Sequence, residues 1–188
     1  MPVFSVAFYD HMLKNDQKNA DEMEKAGCPH CGGNLHRHDR LRKAAGVPAT
    51  LGDEHRMRFG FRCGRRGCRK RMSPESARFQ GRKLYVGVVV SVCTGMRCGL
   101  TVGGAKLTAI GVSRWTLGRW KDWWQKRVPK TSFWQEKMAS FREPVETKRL
   151  PASLLLPRVG EDLETQLTWL LKFIAPLGCD RAFARKAA

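Results

Sequence analysis

The chain has 188 residues, room for one ordinary domain or two to three small ones, and its 42% hydrophobic content is enough for a packed core and against wholesale disorder. Its formal charge of +18, from 35 Lys and Arg against 17 Asp and Glu, points to a polyanionic partner, because each neutralised phosphate releases bound counterions. The most apolar run, Leu84 to Cys98, holds Gly87, Gly95 and Arg97 and is too short to cross a bilayer. Met1 to Tyr9 lacks the basic start of a signal peptide, so no membrane span or export is expected.

The charge is uneven. Residues 28–85 carry fifteen basic and four acidic groups and residues 86–130 eight and one, whereas 1–27 and 131–188 are nearly balanced. The middle of the chain is therefore where a polyanion would bind.

Taken in order, residues 1–27 form an N-terminal segment whose polar stretch 10–26, stopped by Gly27, predicts a surface helix. Residues 28–72 are rich in Gly, Cys and Arg. Cys28-Pro29-His30-Cys31-Gly32-Gly33 places two thiols where one tetrahedral ion can bridge them, provided the backbone turns tightly. Cys63-Gly64-Arg65-Arg66-Gly67-Cys68 follows after 31 intervening residues as a second, wider knuckle. Together Cys28, Cys31, Cys63 and Cys68 describe a zinc ribbon holding one structural Zn²⁺, closed to water and so without catalytic use. An iron-sulfur cluster would also accept four cysteines. His30, His36, His38 and His55 are substitute ligands that read better as solvent- or phosphate-facing residues. Seven cysteines with this spacing suit a reducing cytoplasm.

Between the knuckles, Arg56 to Cys63 alternates Met57, Phe59 and Phe61 with Arg56, Arg58 and Arg62, predicting a strand with one apolar and one basic face. Arg56, Arg58 and Arg62, with Arg65, Arg66 and Arg69, are the expected phosphate contacts of the ribbon. Residues 73–83, opening with Ser73-Pro74, look like a linker.

Residues 84–130 predict a helical region. Leu84 to Cys98 is valine-rich but is assigned as helix, with Cys93 and Cys98 as small core residues, since five positions apart they would point about 140° away from each other. Helices over about 101–109 and 113–127 follow, joined at Gly111, with Ser113 as N-cap of the second. Ile110, Val112, Leu117 and Trp120 would form their shared core. Ser113, Arg114, Trp115, Thr116, Arg119 and Lys121 would face nucleic acid, as a helix-turn-helix requires. Gly103 and Gly104 weaken the first helix of the pair by about 1 kcal/mol each relative to Ala.

The tail, 131–188, predicts a helix near 132–142, a connection marked by Pro144, Pro151 and Pro157, and a helix over 161–175. Leu163, Leu167, Leu170, Leu171 and Ile174 form a stripe at helical spacing that packs on the chain's own helices or makes a homodimer or partner interface. Trp123, Trp124 and Trp134 read as core anchors.

The helix pair resembles the DNA-binding helices of bacterial regulators and transposases. Cys28 to Gly33, Cys63 to Cys68, Arg69 to Pro74, Arg78 to Arg82 and Tyr85 are similar to a group of uncharacterised bacterial proteins associated with mobile elements. The order of ribbon then helices is similar to the N-terminal DNA-binding part of insertion-sequence transposases. The likeness covers about residues 28–125, and more loosely Leu150 to Leu155 and Phe173 to Leu177. It implies a role near transposition, alongside a separately encoded transposase or recombinase, at the nucleoid. No nucleophile–base pair or phosphate-cradling glycine loop is visible, and about 58 residues beyond 130 are too few for a two-metal nuclease fold. The expectation is an α+β chain, a small β zinc ribbon followed by a helix-turn-helix and C-terminal helices, that binds double-stranded DNA and is not an enzyme. A transcriptional regulator and a zinc-ribbon protein that binds structured RNA remain open.

Overall fold

A computed structural model describes residues 4–43, 45–80, 86–97, 99, 112–141, 143–155 and 160–179. It is a mixed α+β chain of helices and small antiparallel sheets. The expected first helix of the helix-turn-helix pair, over about 101–109 with Gly103 and Gly104, lies outside the described residues, as do Ile110, the turn at Gly111 and Cys98.

Helix α1 (Val6–Ala26) starts four residues earlier than expected, because the Ser5 hydroxyl accepts the Phe8 N–H at 3.1 Å and caps it. Gly27, with φ of 75°, ends it. Its polar composition suggested a surface helix, yet it serves two cores. Phe8, Tyr9 and Met12 join the larger core, and Ala20, with Leu13 and Met23, joins the smaller one.

The smaller core is built on short antiparallel strands. Strands β1 (Leu35–Arg37), β4 (Phe61–Cys63) and β5 (Arg71–Met72) form an antiparallel sheet in the order β1-β4-β5, and β2 (Arg40–Leu41) pairs with β3 (Met57–Arg58). Both ladders share one register. His36 lies opposite Arg62 and Arg40 opposite Arg58, and the His38 N–H to Gly60 O (2.8 Å) and Arg42 N–H to Arg56 O (2.9 Å) bonds extend the pairing on either side of β2–β3. Residues 35–42 and 56–63 thus form one long hairpin arm. With a period of two, Leu35, Phe61, Cys63 and Phe59 face α1, and the even-numbered residues face away. Arg37 closes the inner side through Asp21 (2.5 Å) and Glu24 (3.2 Å) of α1.

The larger core is helical. Valines 88, 89, 90 and 92 of α2 (Gly87–Arg97) are all buried, so burial on every side overrides their preference for strands. Around α2 gather α3 (Arg114–Asp122), a π-helical turn over Trp123–Arg127, α4 (Ser132–Met138), α5 (Ala152–Leu155) and α6 (Leu163–Phe173). Trp124 and Trp134 are buried anchors, as expected. The helices near 132–142 and 161–175 are shorter than expected, and the proline-marked connection between them contains α5, whose four residues are all buried. Leu167, Leu170, Leu171 and Ile174 all lie in this intramolecular core, so the apolar stripe is covered within the chain.

Residues 73–80, expected to begin a linker, are instead largely interior. Ser76, Ala77, Arg78, Phe79 and Gln80 are buried, and Asp16 of α1 accepts from the Ser76 hydroxyl (2.5 Å), the Ala77 N–H (2.7 Å) and the Arg78 Nε (2.9 Å). The rest of the Arg78 guanidinium donates to the carbonyls of Glu54, His55 and Met57. This clasp joins α1, the hairpin and the helical core at one point.

Candidate functional site

The four cysteines expected to bind metal come together. Gly27 and Gly32, both in the left-handed region, shape the first knuckle, where the Gly32 N–H reaches Cys28 O at 2.7 Å and the Cys28 N–H reaches Gly33 O at 2.9 Å. Gly33 has no room for a side chain, since a Cβ would lie 3.4 Å from both the Cys31 and Cys63 sulfurs and 3.0 Å from Arg65 Cβ. The second knuckle turns at Gly67 and at Arg69, whose φ is 45°. The sulfur pairs Cys28–Cys68 and Cys31–Cys63 are 3.8 and 3.5 Å apart, and all four sulfurs lie within 4.8 Å of one another. A tetrahedral ion with bonds of about 2.3 Å to sulfur requires edges of about 3.8 Å, so the donor set fits. The Gly33 amide draws the Cys31 thiol down to about 7, whereas burial pushes Cys63 up to about 12. A central cation would take all four as thiolates. The four cysteines are unpaired by disulfides, and no other cluster of this kind occurs among the described residues.

The outward face of the hairpin arm is basic. His36, Arg62 and Arg71 lie side by side across β1, β4 and β5, and all three are exposed. Two like charges opposed in one sheet, Arg62 and Arg71, are unfavourable for the fold alone. Farther along the same face stand His38, Arg40 and Arg42, opposite Gly60, Arg58 and Arg56. Arg65, Arg66 and Arg69 are exposed on the second knuckle, as expected, and Arg65 donates to Cys31 O at 3.0 Å. Arg56 is half-buried and pairs with Asp53 at 3.5 Å.

Arg58 departs from expectation. It belongs to the basic face but is buried, because the tail and the segment after Ser73 fold over it and accept its Nη2 through Gly178 O (2.7 Å) and Pro74 O (3.1 Å). Burial lowers its pKa to about 10, with Arg78 and Arg42 adding repulsion and Asp16 opposing it. His55 departs likewise: it is buried, with Nε2 3.2 Å from Asp10.

Helix α3 is capped as expected, the Ser113 hydroxyl accepting the Thr116 N–H at 3.2 Å while donating to the Thr116 hydroxyl at 3.0 Å. Ser113 and Thr116 therefore hold the helix start. Leu117 and Trp120 pack inward, whereas Arg114, Trp115, Arg119 and Lys121 are exposed. Trp115 is 71% exposed, and the Arg119 guanidinium lies 4.3 Å from its ring centroid, a flat cationic surface.

No protein-family model matches the chain, and neither a curated protein nor a solved structure matches it. No helix among the described residues is long and apolar enough to cross a membrane.

Residues 56–63 are only one side of this face, which their neighbouring strands complete. Arg40, Arg42 and Arg71 belong to the basic face, and the signal available for them was only their place in the most basic stretch of the chain.

Proposed function

We propose that this protein is a non-catalytic, zinc-stabilised nucleic-acid-binding protein whose preferred partner is duplex DNA. The observation that carries the reading is the cross-strand row of His36, Arg62 and Arg71. It lies exposed in the most basic stretch of the chain, and among the described residues neither arginine has a carboxylate ion-pair partner. Such a row suits a phosphate backbone. Zinc is the metal that best suits a closed set of four thiolates on glycine-turned knuckles. Helix α3, with Arg114, Trp115, Arg119 and Lys121 outward, is the candidate reader of base edges. The mobile-element role, as an accessory or targeting factor beside a separate transposase or recombinase, rests on the sequence resemblance alone. Structured RNA is the second reading, favoured by the exposed Trp115, which offers a base a stacking surface.

The test is duplex binding as a function of salt. If about six to ten phosphates are engaged, log K falls against log salt with a slope near −5 to −9, from about −0.9 per phosphate. A tighter fit to structured RNA than to any duplex would transfer the function to the second reading.

A further inference from the structure

A cleft of about 270 Å³ opens on the basic face where the two short ladders meet, lined by His38, Arg40, Arg42, Arg58, Gly60 and Arg71 among others. Three features set it apart from an ordinary basic surface. Arg40 and Arg58 are direct cross-strand partners, so two guanidiniums share one rung, an arrangement that costs folding energy unless an anion is present. Among the described residues no carboxylate forms an ion pair with Arg40, Arg58 or Arg71. The nearby acids are otherwise engaged, Asp16 with Arg78 and Asp39 with the Gly60 N–H (3.0 Å) and Arg37. Finally, Gly60 interrupts the row of cationic side chains: a Cβ there would lie 2.9 Å from His38 O, so the position stays bare and the backbone forms a notch. Arg58 is held at the edge of this notch by the carbonyls of Pro74 and Gly178, so the entropy of ordering it is already lost before any ligand arrives.

We propose that this cleft is a seat for a single phosphate group, gripped from two strands by Arg40 and Arg58 and from a third by Arg71. A guanidinium presents a planar fork of donors that matches phosphate oxygens, and three of them from different strands fit a tetrahedral oxyanion better than a planar carboxylate. The phosphate is either a phosphodiester of a nucleic-acid backbone, which rests on the function proposed above, or a free or terminal phosphate, which does not.

The test uses the full, metal-loaded chain and inorganic phosphate. Arg40 and Arg71 are exposed, so Arg40→Ala/Arg71→Ala should fold, while Lys130→Ala/Lys137→Ala removes the same charge on the far helices. Thermal unfolding is followed in phosphate and in chloride at equal ionic strength. The wild type and the lysine variant should gain Tm in phosphate, and the arginine variant should not. On duplex DNA the arginine variant should bind about tenfold to a hundredfold more weakly, with a salt slope flatter by about one unit, and the lysine variant close to wild type. An equal phosphate gain in the arginine variant overturns the seat, whereas a lost phosphate gain with a duplex affinity no lower than that of the lysine variant assigns the seat to a free phosphate and not to the nucleic-acid backbone. If no protein binds duplex but the wild-type phosphate gain vanishes in the arginine variant, the seat stands and the nucleic-acid reading fails. Duplexes with and without a 5′-phosphate separate the two sources. A preference for the phosphorylated end, lost in the arginine variant, identifies a terminal phosphate, and equal binding identifies the backbone.

Discussion

Two guanidiniums, Arg58 and Arg78, lie in the interior with one buried carboxylate, Asp16, beside them. Asp16 takes three donors and stays fully used, whereas Arg58 is anchored through Nη2 alone, by two backbone carbonyls. Both guanidiniums also lie over the Phe79 ring, at 5.7 and 5.1 Å. Removing Arg58 strips donors from two carbonyls and takes a charged hydrogen-bonding group from the interior, so Arg58→Ala should lower stability by about 2–3 kcal/mol. Arg62→Ala, on the open face, should stay within about 0.5 kcal/mol. Urea denaturation midpoints decide between them, and equal midpoints for the two variants would show that Arg58 is not a structural residue. Burial was not legible at Arg58, because the residues that cover it, Pro74 and Gly178, are 16 and 120 positions away.

Among the elements, the hairpin arm and α3 show where periodicity speaks and where it stops. The alternation of Met57, Phe59 and Phe61 with arginines marks an amphipathic strand by itself. Its partner, residues 35–42, places Arg37 and Asp39 at inward positions, and those charges disguise the pattern. They are tolerated because Arg37 meets Asp21 and Glu24 on α1 and Asp39 accepts the Gly60 N–H, contacts that exist only after folding. In α3 the cap at Ser113 and the inward Leu117 and Trp120 were readable from spacing. The stacking of Arg119 on Trp115 follows from the same helix, one turn apart. If α3 reads base edges, Arg119→Ala should narrow the gap between a selected site and a scrambled duplex by about 1–3 kcal/mol, whereas Arg62→Ala should weaken both alike. Equal losses on both duplexes for Arg119→Ala would leave shape recognition by the ribbon as the account of any preference.

For the molecule as a whole, α1 and the Asp16–Arg78 clasp couple the smaller, strand-built core to the helical core. A metal held by the four cysteines would therefore matter beyond its own ligands. Structural zinc in small modules is worth about 10–16 kcal/mol of apparent binding free energy. Cys28→Ser should remove the metal, unfold the ribbon and lower the midpoint of the helical core as well, because Arg78 then loses its acceptors at Glu54, His55 and Met57. Cys93→Ser, with its sulfur buried in the helical core, should leave metal content unchanged. Elemental analysis and circular dichroism check both; iron in the purified protein would count against zinc, and an unchanged melting profile for Cys28→Ser would count against this coupling.

Local chemistry made several features legible without coordinates. Paired cysteines with glycines beside them can close a knuckle within six residues, so the two cysteine knuckles and the cap at Ser113 depend on near neighbours in the chain. The tryptophan anchors were readable from apolar density, whereas the valines of α2 favour a strand and its helix followed only from the helical stretches after it. Tertiary structure alone decided which arginines stay open to solvent. The tail reaches back to cover Arg58, residues 76–80 turn inward to meet Asp16, and α6 buries its leucine stripe within the chain. It also decided that Arg40 and Arg58 share one rung beside a bare Gly60, since register across a hairpin depends on which strand is opposite, and that choice is made by burial of the apolar face against α1.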